Sequence, residues 1–254
     1  MTTALLLDIG NSRLKWGVLE DGAIRRTGHI ARDSIKDHGL AALTQRLPRH
    51  VDTVLASNVA GSSFATRLSG VVGMHCGCDL QYVHVAKQAH GITSSYRQPR
   101  RLGVDRWVAM IGAWAEAQAA CVIVDAGTAV TIDVLDDEGQ HLGGQIIPGI
   151  ALMATALSLQ TSDIADVQPR RTAQSRGMSM FASSTSRAVE QGAINAVVGA
   201  IERALRTLDA SGYAPEIFLT GGDASRILRS LEQDVVHRPH LVLQGLARIL
   251  ESRQ

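Results

Sequence analysis

Disulfide chemistry is the first thing this chain cannot support. Only three cysteines, Cys76, Cys78 and Cys121, occur in 254 residues. They are too few and too clustered for a secreted disulfide framework, so reduced thiols and a cytosolic setting are expected. Two of them share "HCGC" (75–78), which has no second ligand pair at zinc-site spacing; a loop beside a buried thiol is expected there, with no metal chemistry. Aromatic residues make up only 4% of the chain, and 25 Lys plus Arg against 24 Asp plus Glu give a net charge of +1. Few stacking platforms and no broad basic footprint disfavour dedicated nucleic-acid binding. The opening "TTALLLDIG" has no basic leader, and its apolar run is shorter than a signal peptide or a membrane span needs. A soluble, cytoplasmic protein with no membrane partner is the expectation. Nine histidines are scattered without metal-ligand spacing, and none is assigned a catalytic role.

What the chain has is apolar content, 45% of its residues, enough to bury one large core or two modest ones. "ALLLDIG" is a continuous apolar run closed by glycine, as in a strand buried on both faces. "RLKWGVLE" alternates and is followed by an Asp-Gly turn signal and "AIRRTGHI", so a hairpin is predicted. "DSIKDHGLAALTQRL" reads as one helix capped at Asp33 or Ser34, "DTVLASNV" as a strand, and "GSSFATRLSGVV" as a helix. Further on, "GVDRWVAMIGAWAEAQAA" predicts a helix with small residues on one face, and "CVIVDAG" a strand. "QHLGGQIIPGI" closes a hairpin and leads into the helix "ALMATALSLQ", whose start is marked by Pro148 and Gly149. Residues 161–180 are polar and irregular and read as a mobile loop. A long helix, "SRAVEQGAINAVVGAIERALRTL", carries Ala and Gly on its apolar stripe; "PEIFLTGGDASRIL" reads as strand, turn and helix, and "LVLQGLARIL" as a last helix.

The chain also repeats itself. "DIGNSRLKWGVLEDG" from Asp8 aligns with "DAGTAVTIDVLDDEG" from Asp125, 117 residues later (125 minus 8), with one residue of slack. Each copy is a buried strand, then Asp-x-Gly followed by Asn or Thr, then an alternating strand and an acidic turn. Two related α/β halves facing a cleft are predicted, divided as 1–110 and 111–254. A strand ending in Asp-x-Gly places a carboxylate at its carboxyl end, while the glycine lets backbone N–H groups approach a ligand closely. Phosphates and their metal ions want that combination. Asn11, Ser12 and Thr128 add uncharged donors, and Lys15 is a point charge for a terminal phosphate. The plain alternative is that Asp8 and Asp125 cap turns. "TGG" (220–222) is a third glycine turn at a strand end, equally compatible with an ordinary strand-to-helix connection. Asp133 and Asp136 to Glu138 read as a strand residue and a solvated turn rather than a metal site.

The segments "DIGNSRLK", "LGVDRWVAMIGA", "VDAGTAVTIDVL", "GGQIIPGI" and "TGG", in this order, resemble a type III pantothenate kinase of the actin, sugar kinase and Hsp70 ATPase superfamily. The similarity runs from residue 5 to about residue 250. It implies an α/β fold of two duplicated ribonuclease H-like domains flanking a nucleotide cleft, and ATP-dependent phosphorylation of the primary hydroxyl of pantothenate, the first step of coenzyme A synthesis. By the same resemblance Asp8, Ile9, Gly10, Asn11, Ser12, Arg13, Leu14 and Lys15 would hold ATP phosphates, with Asp8 on the Mg²⁺ side and Thr128 also at the phosphates. Asp125 would bind a monovalent cation, K⁺ or ammonium. Asp105 would accept the proton. Tyr96, Gly103, Val104, Asp105 and Arg106 would line the pantothenate pocket, and Thr185 would close it. A homodimer is implied. This chain carries Ser184 where family members commonly have Asn.

Chemistry supports that division of roles. A primary alcohol is too weak an acid to ionise at neutral pH, so phosphoryl transfer wants a carboxylate that takes the proton as the bond to phosphorus forms. Asp105 falls in the first turn of a predicted helix, a place that favours negative charge; its alternative is a plain helix-start aspartate. Arg106 offers a rigid donor fork for a carboxylate, or else pairs with a surface acid, and Tyr96 is otherwise an ordinary half-buried tyrosine. Two further functions stay open at this point. One is a regulatory protein on the same fold, resembling relatives described as accessory transcription factors, although no basic stripe or helix-turn-helix pattern is present. The other is a different small-molecule kinase of the superfamily.

Overall fold

The computed structural model describes residues 3–160 and 180–253. The predicted loop at 161–180 lies outside them except for its last residue. The chain divides into two compact units, one made of Met1–Ala119, Asp137–Gly143 and His240–Gln254, the other of Ala120–Asp136 and Gly144–Pro239. A cut at 110/111 would pass through a helix, Val104–Ala117, that belongs whole to the first unit, and the last helix, Leu241–Glu251, returns to that unit as well.

The first unit is built on a five-stranded sheet. Strands β1 (Thr3–Ile9), β2 (Arg13–Glu20) and β3 (Ala23–Ala31) form an antiparallel meander, and β4 (Thr53–Asn58) and β5 (Leu80–Tyr82) extend it in parallel, in the order β3-β2-β1-β4-β5. Asp21 and Gly22 make the first hairpin turn with φ of 49° and 75°, the doubly left-handed geometry that matches strand twist. Leu5, Leu6, Leu7 and Ile9 are all fully buried, because β1 is covered on both faces; each such side chain contributes about 1.5–3 kcal/mol. Leu5, Leu7 and Ile9 face helices α1 (Arg32–His38), α2 (Ala41–Thr44) and α3 (Ser62–Cys76). The other face is covered by α4 (Val104–Ala117) and α8 (Leu241–Glu251).

Two local expectations are corrected here. The single helix predicted from Asp33 breaks into α1 and α2 at Gly39, which sits at φ 72° and turns the chain, and α1 starts at Arg32 with no side-chain cap, leaving Asp33 in its first turn. The "HCGC" stretch is not all loop: His75 and Cys76 finish α3, and Gly77 closes it in the left-handed conformation. The small residues of α4 act as predicted. A Cβ on Gly245 would lie 2.0 Å from the Val108 carbonyl oxygen, and one on Gly112 would lie 2.8 Å from that of Leu241, so α4 and α8 touch backbone to backbone.

A short hairpin, β6 (Gln88–Ala89) and β7 (Ile92–Thr93), turns through His90 and Gly91, both at positive φ. A single 3₁₀ turn, Pro99–Arg101, leads into α4. Residues 137–143 dock on this hairpin: Thr93 N–H donates to the Gly139 carbonyl at 3.0 Å, and Gln140 Nε2 donates to the Thr93 carbonyl at 3.2 Å.

The second unit repeats the plan. β8 (Cys121–Ala126), β9 (Ala129–Leu135), β10 (His141–Pro148, whose first three residues belong to the first unit), β11 (Glu216–Thr220) and β12 (Val236–His237) form a sheet ordered β10-β9-β8-β11-β12, with β8 antiparallel to β9 and parallel to β11. Strand for strand this is the order of the first sheet, so the repeat at Asp8 and Asp125 reflects a duplicated architecture. Helices α6 (Thr185–Asp209) and α7 (Ala224–Leu228) cover the face carrying Val122, Val124 and Ala126. α5 (Ile150–Gln160) follows Gly149 and packs on α6 through Ala154 and Val189. Among the described residues, no helix is long and apolar enough to cross a membrane.

Candidate active site

Each sheet carries an acid at the penultimate position of its first strand. Asp8 stands opposite Lys15 on β2 and Ser57 on β4, and Asp125 stands opposite Thr131 on β9 and Thr220 on β11. Paired residues on neighbouring strands share a sheet face, so each carboxylate has a hydroxyl beside it on the next parallel strand. The Ser57 Oγ and Thr220 Oγ1 are both buried, and both lack a hydrogen-bond partner among the described residues. An unsatisfied buried hydroxyl next to a strand-end carboxylate is what a site completed by a bound ion, phosphate or water looks like.

The turns that follow are built alike. Gly10 N–H closes on the Arg13 carbonyl at 3.0 Å, and Gly127 N–H closes on that of Ala129, also at 3.0 Å. The one-residue slack of the repeat lies here, since the first turn is a residue longer. In the first turn Asn11, Ser12 and Arg13 are exposed, whereas the side chains of Ile9 and Leu14 are fully buried in the core. Of the run 8–15, therefore, Ile9 and Leu14 can meet a ligand through backbone alone. Asp8 is a largely buried acid with Lys15 Nζ at 3.9 Å.

In the second unit the strand end is crowded by glycines. A Cβ on Gly221, whose φ is 99°, would fall 2.3 Å from the Ala126 carbonyl oxygen, and one on Gly149 would fall 2.3 Å from that of Gly127. Asp125 is half-buried and Thr128 exposed. Carboxylate and carbonyl oxygens thus gather at the end of β8. Among the described residues, no cluster of three or more His, Cys, Asp or Glu side chains could hold a metal by itself. Asp133 is buried in β9 as a strand residue, and Asp136 is buried too, so the predicted solvated turn begins only at Asp137.

A second group of residues assembles at the start of α4. Gly103 is its N-cap and Asp105 lies in its first turn, where the Arg106 backbone N–H donates to Asp105 Oδ1 at 2.8 Å. A Cβ on Gly103 would lie 2.7 Å from that same oxygen, so glycine is what leaves room for the carboxylate. Arg106 is buried, and its Nη1 donates to the Tyr96 hydroxyl at 3.1 Å. Tyr96, Gly103, Val104, Asp105 and Arg106 thus form one continuous patch of the first unit. Thr185 belongs to the second unit, exposed at the first position of α6.

The structure adds a residue that the sequence did not suggest. His141, almost fully buried, stacks on Tyr96 with ring centroids 6.1 Å apart and planes at 10°, and its Nδ1 is 3.1 Å from Ser95 Oγ. Nothing in the spacing separates His141 from the other eight histidines. The pairing of Thr93 with Gln140 brings the segment that carries it alongside the one that leads to Tyr96.

A family model described as type III pantothenate kinase matches residues 4–207. This chain belongs to the type III pantothenate kinase family. Curated family members named type III pantothenate kinase include one from Nitrosococcus oceani, 35% identical over 98% of this chain and 94% of its own length. Another, from Azoarcus sp., is 37% identical over 96% of this chain and 89% of its own. Solved structures share the fold at lower identity. A protein from Sinorhizobium meliloti described as a candidate 2-dehydro-3-deoxygalactonokinase superposes with TM-score 0.59 at 14% identity, covering 98% of this chain and 99% of that one. A Campylobacter jejuni protein described as a candidate Baf family transcriptional activator gives 0.60 at 21%, with 98% of both chains covered. The fold is thus shared with these structures, and its two sheets of matching strand order agree with duplicated ribonuclease H-like domains.

Proposed function

We infer that this chain is an ATP-dependent pantothenate kinase, transferring the γ-phosphoryl group of ATP to the primary hydroxyl of pantothenate to give 4'-phosphopantothenate. The family match and the Gly103–Arg106 geometry carry this reading together. In the transfer, a bond forms between the hydroxyl oxygen and the γ-phosphorus, the bridging bond to the β-phosphate breaks, and the hydroxyl proton passes to Asp105. Asp105 is suited to this because its carboxylate is fixed by the Arg106 N–H and pointed by the space at Gly103. Arg106, buried and charged, matches the carboxylate of the substrate, with Tyr96 holding the guanidinium in place.

The exposed backbone and side chains of Asn11, Ser12 and Arg13, with Lys15, suit the ATP phosphates, and the family resemblance gives the exposed Thr128 the same role. Asp8 suits Mg²⁺, which needs only one or two protein carboxylates when nucleotide phosphates complete its shell. The carbonyl and carboxylate oxygens around Asp125 suit a larger monovalent cation such as K⁺ or ammonium. When bound, these ions neutralise charge building up on the transferring phosphoryl group. Thr185 closes the substrate pocket in this scheme. A homodimer is favoured by the exposed apolar side chains of the second unit: Ile146, Leu152, Leu157, Leu159, Met180 and Phe181. A cytoplasmic setting, where ATP is available, agrees with three free cysteines. Nucleic acid and membrane have no part in the scheme.

A coupled assay on purified protein tests the activity. Product is expected from ATP and pantothenate with Mg²⁺ and K⁺ present, and sugars are expected to give none. Turnover of a sugar in preference to pantothenate would overturn the assignment. Light scattering tests the dimer, since a monomeric mass at micromolar concentration would remove it.

A further inference from the structure

We propose that His141 is a positioning residue of the substrate pocket, holding Tyr96 and through it Arg106 beside Asp105. The inference rests on the pantothenate reading above and adds a residue to it.

The contacts form one line. Ser95 Oγ meets His141 Nδ1 at 3.1 Å, the imidazole stacks on Tyr96 at 6.1 Å with the planes 10° apart, and the Tyr96 hydroxyl accepts from Arg106 Nη1 at 3.1 Å. Arg106 is the neighbour of Asp105 and gives it a backbone N–H at 2.8 Å. His141 is 1% exposed and Arg106 6%, so both ends of the line are fixed by packing, while Tyr96 between them is only half-buried. A half-buried phenol turns about two torsions. What stops it here is the imidazole on one side and the guanidinium on the other.

The histidine itself is anchored by backbone. The segment 137–143 is held to the β6–β7 hairpin through Thr93 N–H to the Gly139 carbonyl at 3.0 Å and through the Gln140 side-chain Nε2 to the Thr93 carbonyl at 3.2 Å, and the same amide steadies the segment by donating to the His141 carbonyl at 3.3 Å. Gly139 is required for that docking, since a Cβ there would lie 2.3 Å from the Gly91 carbonyl oxygen. Just after β7, the buried Ser94 Oγ accepts the Tyr96 N–H at 3.2 Å, so the backbone that carries Tyr96 is fixed as well. The imidazole therefore stands on a hydrogen-bonded support and packs on the half-buried Tyr96 ring.

The test is steady-state kinetics on wild type, His141→Ala, His141→Phe, Tyr96→Ala and the double variant His141→Ala/Tyr96→Ala, with thermal denaturation of each. His141→Ala is expected to raise the pantothenate KM about tenfold, the scale of a lost ring stack plus a looser charged hydrogen bond. The ATP KM is expected to stay within about twofold. His141→Phe keeps a ring to stack and is expected to recover most of the loss. Because His141 acts through Tyr96, removing it from the Tyr96→Ala background is expected to change nothing further. Equal pantothenate KM for wild type and His141→Ala, or additive losses in the double variant, would overturn the proposal. So would parallel losses in both KM values and in melting temperature that His141→Phe fails to recover, because these mark a purely structural residue. A wild type that neither binds nor phosphorylates pantothenate sinks the activity and this inference together, whereas normal wild-type turnover with an unaffected variant sinks this inference alone.

Discussion

Gly103→Ala separates catalysis from stability. Gly103 has φ −57° and ψ 131°, which alanine adopts without strain. The obstacle is one atom. The new Cβ would lie 2.7 Å from Asp105 Oδ1, where a relaxed contact needs about 3.5 Å, so the carboxylate must retreat by roughly 0.8 Å. It can do so by rotating, at the expense of its 2.8 Å bond from Arg106 N–H. In stability, alanine at an N-cap costs about 0.5–1 kcal/mol relative to a good cap, and restricting the unfolded chain returns about 0.4–1 kcal/mol, so the two nearly cancel. In rate, a displacement approaching 1 Å in a proton-accepting group costs on the order of 100-fold, or about 2.7 kcal/mol of transition-state stabilisation. The expected outcome is a kcat 30- to 100-fold lower, roughly, with an unchanged ATP KM and a melting temperature within about 3 °C of wild type. A kcat within about twofold of wild type would refute the claim that Gly103 exists to seat Asp105. A large drop in melting temperature would show instead that the glycine serves the fold.

Gly245→Ala is expected to do the opposite. Its Cβ would meet the Val108 carbonyl oxygen at 2.0 Å, backbone that cannot rotate aside, so α8 must move off α4 at a cost of about 3 kcal/mol, a fall of roughly 6–12 °C in melting temperature by calorimetry. Burial pushes the Cys121 thiol up to about 12 and the Cys76 thiol to about 11, so a thiol reagent at neutral pH is expected to label Cys78 at most, and all three only after unfolding. Burial, and Lys15 nearby, hold His240 below its ordinary 6.5. The unfolded chain then binds the extra proton, and stability present above about pH 6.5 is lost as pH falls through the lowered folded value. His240→Gln is expected to flatten the decline in melting temperature between about pH 7 and pH 5, and an unchanged slope would count against it.

The strand ends of the candidate site were legible in the sequence because such ends announce themselves. "LLLD" and "VIVD" are apolar runs that stop at an acid and, two residues on, a glycine, and they recur at a 117-residue interval (125 minus 8). The identical strand order around Asp8 and Asp125 is the physical content of that repeat. Short edge strands such as β5 and β12, three and two residues long, carry too little pattern to be read. The break at Gly39 was hidden by apolar residues that keep helical spacing across it. Ile9 and Leu14 sit inside the candidate ligand motif yet face the core, since they pair with each other across the β1–β2 ladder on its buried face. His141 was invisible for a different reason: its partners lie 45 and 46 residues away in sequence, at Tyr96 and Ser95, and only the packed fold brings them together.

The central claim is that the Asp105 carboxylate accepts the proton of pantothenate. Its most direct measurement is the turnover of Asp105→Asn with ATP, Mg²⁺ and K⁺, beside a thermal melt that confirms folding. A loss of kcat on the order of 100-fold or more with a native melting temperature is predicted; a folded variant that keeps most of the wild-type rate would contradict it.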